Sequence, residues 1–256
     1  MQEVVEFLLN EVNNGLEISD ATYGAAFIEA ARYKDTSMVE FLLAAGVDVQ
    51  SRDSRGNTAL HIACSDLRLD LAKLLLDSGA CPNSHNIHKE CPLINVCDTS
   101  FEFFENPEED QIEMVRLLLK YGADVNGHDG VDDSPLYHST PLIEATRMSH
   151  YPIVKLLLQE GADPNDVGLA QRSALMQSAS TGHVRIARML LSHGAQINYR
   201  RHRKWDHSWD DSWETALQIA QEASRDPDDD PMVEMLLSNG AVLPINSLPV
   251  EQCDIP

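Results

Sequence analysis

The sequence predicts an all-α repeat solenoid, a stack of helix-turn-helix units joined by β-hairpin loops, and three observations carry that prediction. A glycine recurs at Gly15, Gly46, Gly79, Gly122, Gly161, Gly194 and Gly240, at steps of 31, 33, 43, 39, 33 and 46 residues. An apolar helical core precedes each of them, for example Val39-Glu40-Phe41-Leu42-Leu43, Val115-Arg116-Leu117-Leu118-Leu119 and Val154-Lys155-Leu156-Leu157-Leu158. The position filled by Thr58 recurs as Ala25, Cys91, Thr140, Ser173 and Thr215, and the leucine two residues on recurs as Phe27, Leu93, Leu142, Leu175 and Leu217. Recurrence at a near-constant period is more specific than any single match, because each unit can bury its apolar face only against a neighbouring unit.

The stretch Asp53 to Asn83 sets the ruler: a turn with Asp53 and Gly56, a short helix from Thr58 to Ser65, a second from Leu69 to Leu76, and Gly79 as the stop. Within it, Thr58-Ala59-Leu60-His61-Ile62-Ala63 and Leu74-Leu75-Leu76 with Gly79-Ala80 closely resemble the ankyrin repeat, whose motif reads G-x-T-P-L-H-x-A and later L-L-x-x-G-A-D-x-N. The resemblance covers residues 1 to 245. It divides them into a half-repeat at 1–18 and six repeats near 19–52, 53–85, 86–127, 128–167, 168–199 and 200–245, followed by a tail at 246–256.

Taken in order, residues 1 to 15 read as a second helix whose first is missing, a half-repeat cap or the start of a trimmed chain, with Glu3 and Glu6 turned outward. The first full unit has Ala25 to Ala30 as its inner helix and lacks the turn glycine and threonine. In the second, Thr58 caps the inner helix, the Thr58 hydroxyl and the His61 ring share hydrogen bonds with neighbouring backbone, and His61 is a packing histidine rather than a catalytic one. The third carries an insertion from Asp98 to Asp110 with Phe101, Phe103 and Phe104, read as folding back over the helix pair, with a partner-facing apolar patch as the alternative. A long turn, His128 to His138, precedes the fourth unit, and the fifth is regular, with Thr181-Gly182-His183 as its inter-helix turn. The last hairpin, Tyr199 to Trp213, holds all three tryptophans, at i, i+4 and i+8, beside a basic cluster. On a helix that spacing would place Trp205, Trp209 and Trp213 on one face. In the sixth unit Asp228 to Asp230 precede the outer helix, where negative charge favours the N-terminus.

Composition narrows the function. A net charge of −22 disfavours nucleic acid and anionic membrane as partners, since phosphate binding needs a basic surface. No apolar run is long enough to span a bilayer, and the acidic start Met1 to Glu6 lacks a signal-peptide pattern. The five cysteines, with Cys64 and Cys97 at small-residue helix positions, suit buried thiols in a reducing cytosol or nucleus. Cys81, His85, His88 and Cys91 are zinc-ligand types, but the repeat already accounts for the segment and the spacing matches no zinc module. His202, His207, Asp206, Asp210 and Asp211 form a second cluster of polar groups, and no phosphate loop, nucleophile elbow or HExxH pattern accompanies it.

Resemblance to ankyrin proteins implies a concave binding surface of hairpin tips and inner-helix ends. Mapped by repeat position, its expected contributors are Tyr33, Arg55, His88, Tyr137, His138, Arg147 and Met148, with Arg201, Arg203, Trp205, Trp209 and Trp213 from the last hairpin. The expected function is a non-catalytic, monomeric, intracellular module that binds another protein or peptide and needs no cofactor or metal. The alternative is an enzyme or small-molecule binder with a His/Asp/Trp pocket between the 128–138 and 199–213 loops.

Overall fold

The computed structural model describes residues 20–99, 107–127, 139–168, 171–202 and 213–243. Contacts divide the chain into two compact units, Met1–Asp132 and Asp133–Pro256, so three of the expected repeats fall in each. The half-repeat at 1–18, Phe101, Phe103 and Phe104, the 128–138 turn, residues 203–212 and the tail at 246–256 lie outside the described residues.

Twelve α-helices alternate as inner and outer members of helix pairs among the described residues. The first unit contains α1 (Asp20–Arg32), α2 (Thr36–Ala44), α3 (Ala59–Ser65), α4 (Leu69–Asp77), α5 (Pro92–Cys97) and α6 (Pro107–Lys120). The second contains α7 (Pro141–Arg147), α8 (Tyr151–Gln159), α9 (Ala174–Thr181), α10 (Val184–Ser192), α11 (Ala216–Ala223) and α12 (Pro231–Ser238). Inner helices pack on the next inner helix, α1 on α3 and α3 on α5 in the first unit, α7 on α9 and α9 on α11 in the second. Between α10 and α11 a two-residue ladder pairs β1 (Arg201–His202) antiparallel with β2 (Trp213–Glu214).

Local chemistry sets these boundaries. Thr140, Ser173 and Thr215 cap α7, α9 and α11 by accepting a hydrogen bond from the N–H three residues on, each at 3.3 Å. Proline opens α5 and α7 (Pro92, Pro141), where a missing N–H costs nothing. Every outer helix ends in the same left-handed glycine: Gly79, at φ +89°, donates to Leu76 O, and Ala80 donates to Leu75 O. That 5→2 and 6→1 pair satisfies carbonyls the helix leaves open. It repeats at Gly46, Gly122, Gly161, Gly194 and Gly240, which is why glycine at this place is the chain's clearest period.

The core follows from the two periodicities. Leu60 and Leu93 in the first unit and Leu142, Leu175 and Leu217 in the second are buried on inner helices, beside alanines such as Ala63, Ala145, Ala179 and Ala220 that let the helices approach closely. Outer helices add Leu71 and Leu75, Val115 and Leu118, Val154 and Leu157, Ile186 and Leu190, and Val233 and Leu236. A polar clamp then joins neighbours. Asn83 donates to Gly122 O at 3.0 Å and accepts from Asp124 N at 2.8 Å; Asn165 does the same with Gly194 and Gln196, and Asn198 with Gly240 and Val242. Each amide thus satisfies one carbonyl and one N–H of the next repeat.

Two expectations change. The first inner helix is thirteen residues long and begins at Asp20, well before Ala25. It runs through Gly24, where a Cβ would sit 2.8 Å from Ser51 Oγ and 3.2 Å from Ser51 Cβ, so the helix passes close to the hairpin there. Trp213 lies on a strand, paired with His202, so the one-face helical arrangement of the three tryptophans does not extend to it.

Candidate partner-binding surface

The hairpin tips are built around a short polar side chain. The Asp53 carboxylate accepts from the N–H groups of Arg55 and Asn57, each at 2.8 Å, and from the Asn57 amide at 3.2 Å, while Asp53 N donates to Asn57 O. Burial alone would raise the Asp53 pKa, but the bonds from Asn57, Arg55 and Arg32 outweigh it and hold the carboxyl below its usual range. Asn86 repeats the turn one unit later, accepting from His88 N at 2.8 Å and Glu90 N at 3.1 Å. The two tips are also bonded to each other. Ile87 N donates to Arg55 O at 2.9 Å, the Asn86 amide donates to Asn57 Oδ1 at 2.9 Å, and Arg52 donates to His85 O at 2.6 Å.

On this braced edge of the first unit stand the exposed groups. Tyr33, at the end of α1, is 66% exposed, and Ile87, at a hairpin tip, is 64% exposed. Arg55 and His88 are exposed beside them. Arg32 reaches Asp53 at 3.1 Å and Glu29 at 3.4 Å, tying the end of α1 to the hairpin. Asn57, between Asp53 and Thr58, spends its amide on Asp53 and its side-chain carbonyl on Asn86.

In the second unit, Arg147 is exposed at the end of α7 and bonds to Glu144 at 2.6 Å, and Met148 is half-buried as the following cap. Trp213 is 43% exposed on β2. Arg201 corrects the sequence reading. It is buried and its guanidinium pairs with the buried Glu214 carboxylate across the β1–β2 ladder, so it closes the neck of the last hairpin rather than facing a partner. Tyr137, His138, Arg203, Trp205 and Trp209 lie outside the described residues, as do the 128–138 loop and residues 203–212 of the second loop, so the pocket expected between them does too.

The buried titratable groups serve packing. Thr58 N–H donates to His61 Nδ1 at 3.1 Å, and His61 Nε2 faces the Glu90 carbonyl at 3.1 Å, which fixes the neutral tautomer with its proton on Nε2. Burial pushes the His61 pKa down to about 4, and does the same to His150 at the start of α8. Cys64 and Cys91 are buried and their thiols pushed up by that burial, Cys91 to about 11, which keeps them protonated and unreactive. Both His85 ring nitrogens face carbonyl oxygens, of Asn83 and Gly127, each at 2.9 Å, rather than Cys81 or Cys91. Among the described residues no three His, Cys, Asp or Glu side chains converge as a metal site, and no helix is long and apolar enough to cross a membrane.

Sequence reasoning missed the contacts that brace the surface. Arg68, which reaches back to Ala31 O at 2.7 Å and Thr36 Oγ1 at 3.0 Å, carries no local signal, because its partners are more than thirty residues away. The asparagine clamps did carry one: an asparagine four residues after the repeat glycine at Gly79, Gly161 and Gly194.

Models for ankyrin repeats match residues 1–86 and 107–168 in three copies, and one for a single ankyrin repeat matches residues 171–202. An ankyrin repeat and KH domain-containing protein of Caenorhabditis briggsae is 28% identical over 177 residues, covering 69% of this chain and 6% of its own length. The transient receptor potential channel pyrexia of Drosophila melanogaster is 32% identical over 135 residues, 53% of this chain and 12% of its own. The ankyrin repeat protein nuc-2 of Neurospora crassa is 26% identical over 214 residues, 63% of this chain and 20% of its own. The chain therefore spans a fifth or less of the length of these relatives.

Proposed function

Because the chain belongs to the ankyrin-repeat family, whose repeats are in general protein–protein interaction modules, we propose that it is a non-catalytic module binding a protein or peptide through its hairpin tips and inner-helix ends. One observation carries this reading: Tyr33 and Ile87 stand two-thirds exposed on backbone braced from hairpin to hairpin. A large apolar group in water gains free energy when covered. A backbone already held by its own hydrogen bonds loses little entropy on docking, so a few anchors can supply most of the affinity. Arg55 and His88 supply a polar rim in the first unit; Arg147, Met148 and Trp213 are the second unit's own candidate contacts, and Trp205 and Trp209 join Trp213 in the same loop by sequence.

The test is site-specific photocrosslinking in source-cell lysate, with a photoreactive phenylalanine at Ile87, at Trp213 or, as an outer-helix control, at Lys73. The expected result is one protein crosslinked at Ile87, absent at Lys73 and lost on Tyr33→Ala, with a crosslink at Trp213 reporting the second unit's candidates on its own. Equal labelling at all three sites would remove the reading.

A further inference from the structure

The outer helices α8 and α10 of the second unit enclose an open groove of about 440 Å³ that the inner-face reading does not use. Its floor is Tyr151 and Met189; its rim is Lys155, Arg185, Arg188 and His193. No carboxylate lines it, in a chain with 41 acidic and 19 basic residues. The charges sort by helix: α8 carries only Lys155 and α10 only Arg185 and Arg188, all positive and all exposed. Helical spacing makes the cluster. Tyr151 and Lys155 lie one turn apart, as do Arg185 and Arg188, while Val154, Leu157, Ile186 and Leu190 take the buried face. None of the three cations has an ion-pair partner among the described residues. The Arg185 guanidinium is held 4.4 Å above the Tyr151 ring.

We propose that this groove, on the outer helices of the second unit, binds an acidic, carboxylate-rich peptide segment of a partner protein. Charge complementarity names the ligand: three cations with no acidic partner among the described residues, on an acidic protein, call for anionic groups, and arginine suits the planar carboxylate. The apolar floor between them calls for an aliphatic or aromatic side chain among the acids. The open shape favours a peptide over a small anion, because a lone anion here stays largely hydrated, whereas a chain lies along both helices and covers the floor.

Fluorescence anisotropy of a labelled peptide alternating glutamate and leucine, titrated with the full chain, tests the proposal. The expected result is binding that weakens at least about tenfold with Lys155→Glu and Arg188→Glu combined, and that Lys73→Glu in the first unit leaves unchanged. Should the reversed pair lose helical circular dichroism, Lys155→Gln with Arg188→Gln gives the same reading with no added charge. Equal binding of a glutamine-leucine peptide, or no effect of either double variant, would overturn it. So would displacement of the peptide by millimolar inorganic phosphate, the sign of a small-anion site, or sedimentation showing that the chain self-associates through this groove. Failure here leaves the Tyr33 and Ile87 reading untouched, since that surface belongs to the other unit.

Discussion

The hairpin at 53–58 and the hairpin at 201–214 occupy the same place in their repeats and are held by different physics. In the first, Asp53 organises a tight turn by accepting two backbone N–H groups, and Thr58 with His61 starts the inner helix. In the second, Arg201 stands where Asp53 would, ten residues separate the two short strands, and Thr215 with Gln218 starts the helix. A carboxylate can close a turn only when its N–H partners follow within a few residues. Once the insertion carries them away, the neck is closed by a buried Arg201–Glu214 ion pair. A short hairpin is thus specified locally, and a long one by a charge pair distant in sequence.

The largest effect that would break this comparison is at the ion pair. Glu214→Ala should cost the second unit up to about 3–5 kcal/mol by taking the carboxylate away from the buried Arg201 guanidinium, while Arg201→Met with Glu214→Leu should recover most of it. Urea titration read by hydrogen exchange in α11 measures both, and an effect below that of Asp53→Ala on α3 would mean the neck is not the support.

Acid should separate the two next. His61 is neutral in the fold with a pKa of about 4, against an unfolded value near 6.5, so the unfolded chain binds the extra proton. Stability is fully present above pH 6.5, falls as pH drops toward 4 by about 3 kcal/mol, and levels below. Gln218 makes the equivalent bond to Thr215 N–H at 3.0 Å without titrating, so in a His150→Gln background, which removes the second unit's own buried histidine, α11 should keep its exchange protection while α3 loses it. His61→Gln should remove the pH dependence from α3. Asp53, whose pKa is depressed, adds a further loss only below about pH 3.8.

Smaller effects sharpen the tight hairpin. Gly56 has φ +76°, and a Cβ there would lie 3.1 Å from Ile87 N, so Gly56→Ala should cost about 1–2 kcal/mol, visible as a lowered melting temperature of the first unit. Smallest is a gain. Lys34 holds φ +61° in the turn between α1 and α2 and is exposed, so Lys34→Gly should stabilise by up to about 1 kcal/mol in the same measurement.

The sequence by itself determined what depends on neighbours along the chain. The repeat period, the twelve helices, the glycine stops and the Thr and Ser caps all rest on hydrogen bonds within a few residues, so composition and spacing expose them. The exposure of Tyr33, Arg55 and His88 was legible because repeat position alone places them outward. Tertiary structure decided the rest. Arg201 looks like a free surface cation until Glu214, thirteen residues on, is brought across the ladder. Lys155 and Arg188 look like ordinary solvated charges until α8 and α10 pack side by side and leave them facing one groove without an acid. A charge is defined by what stands beside it, and here that neighbour lies from thirteen residues to about one repeat period away in sequence, beyond the reach of any local pattern.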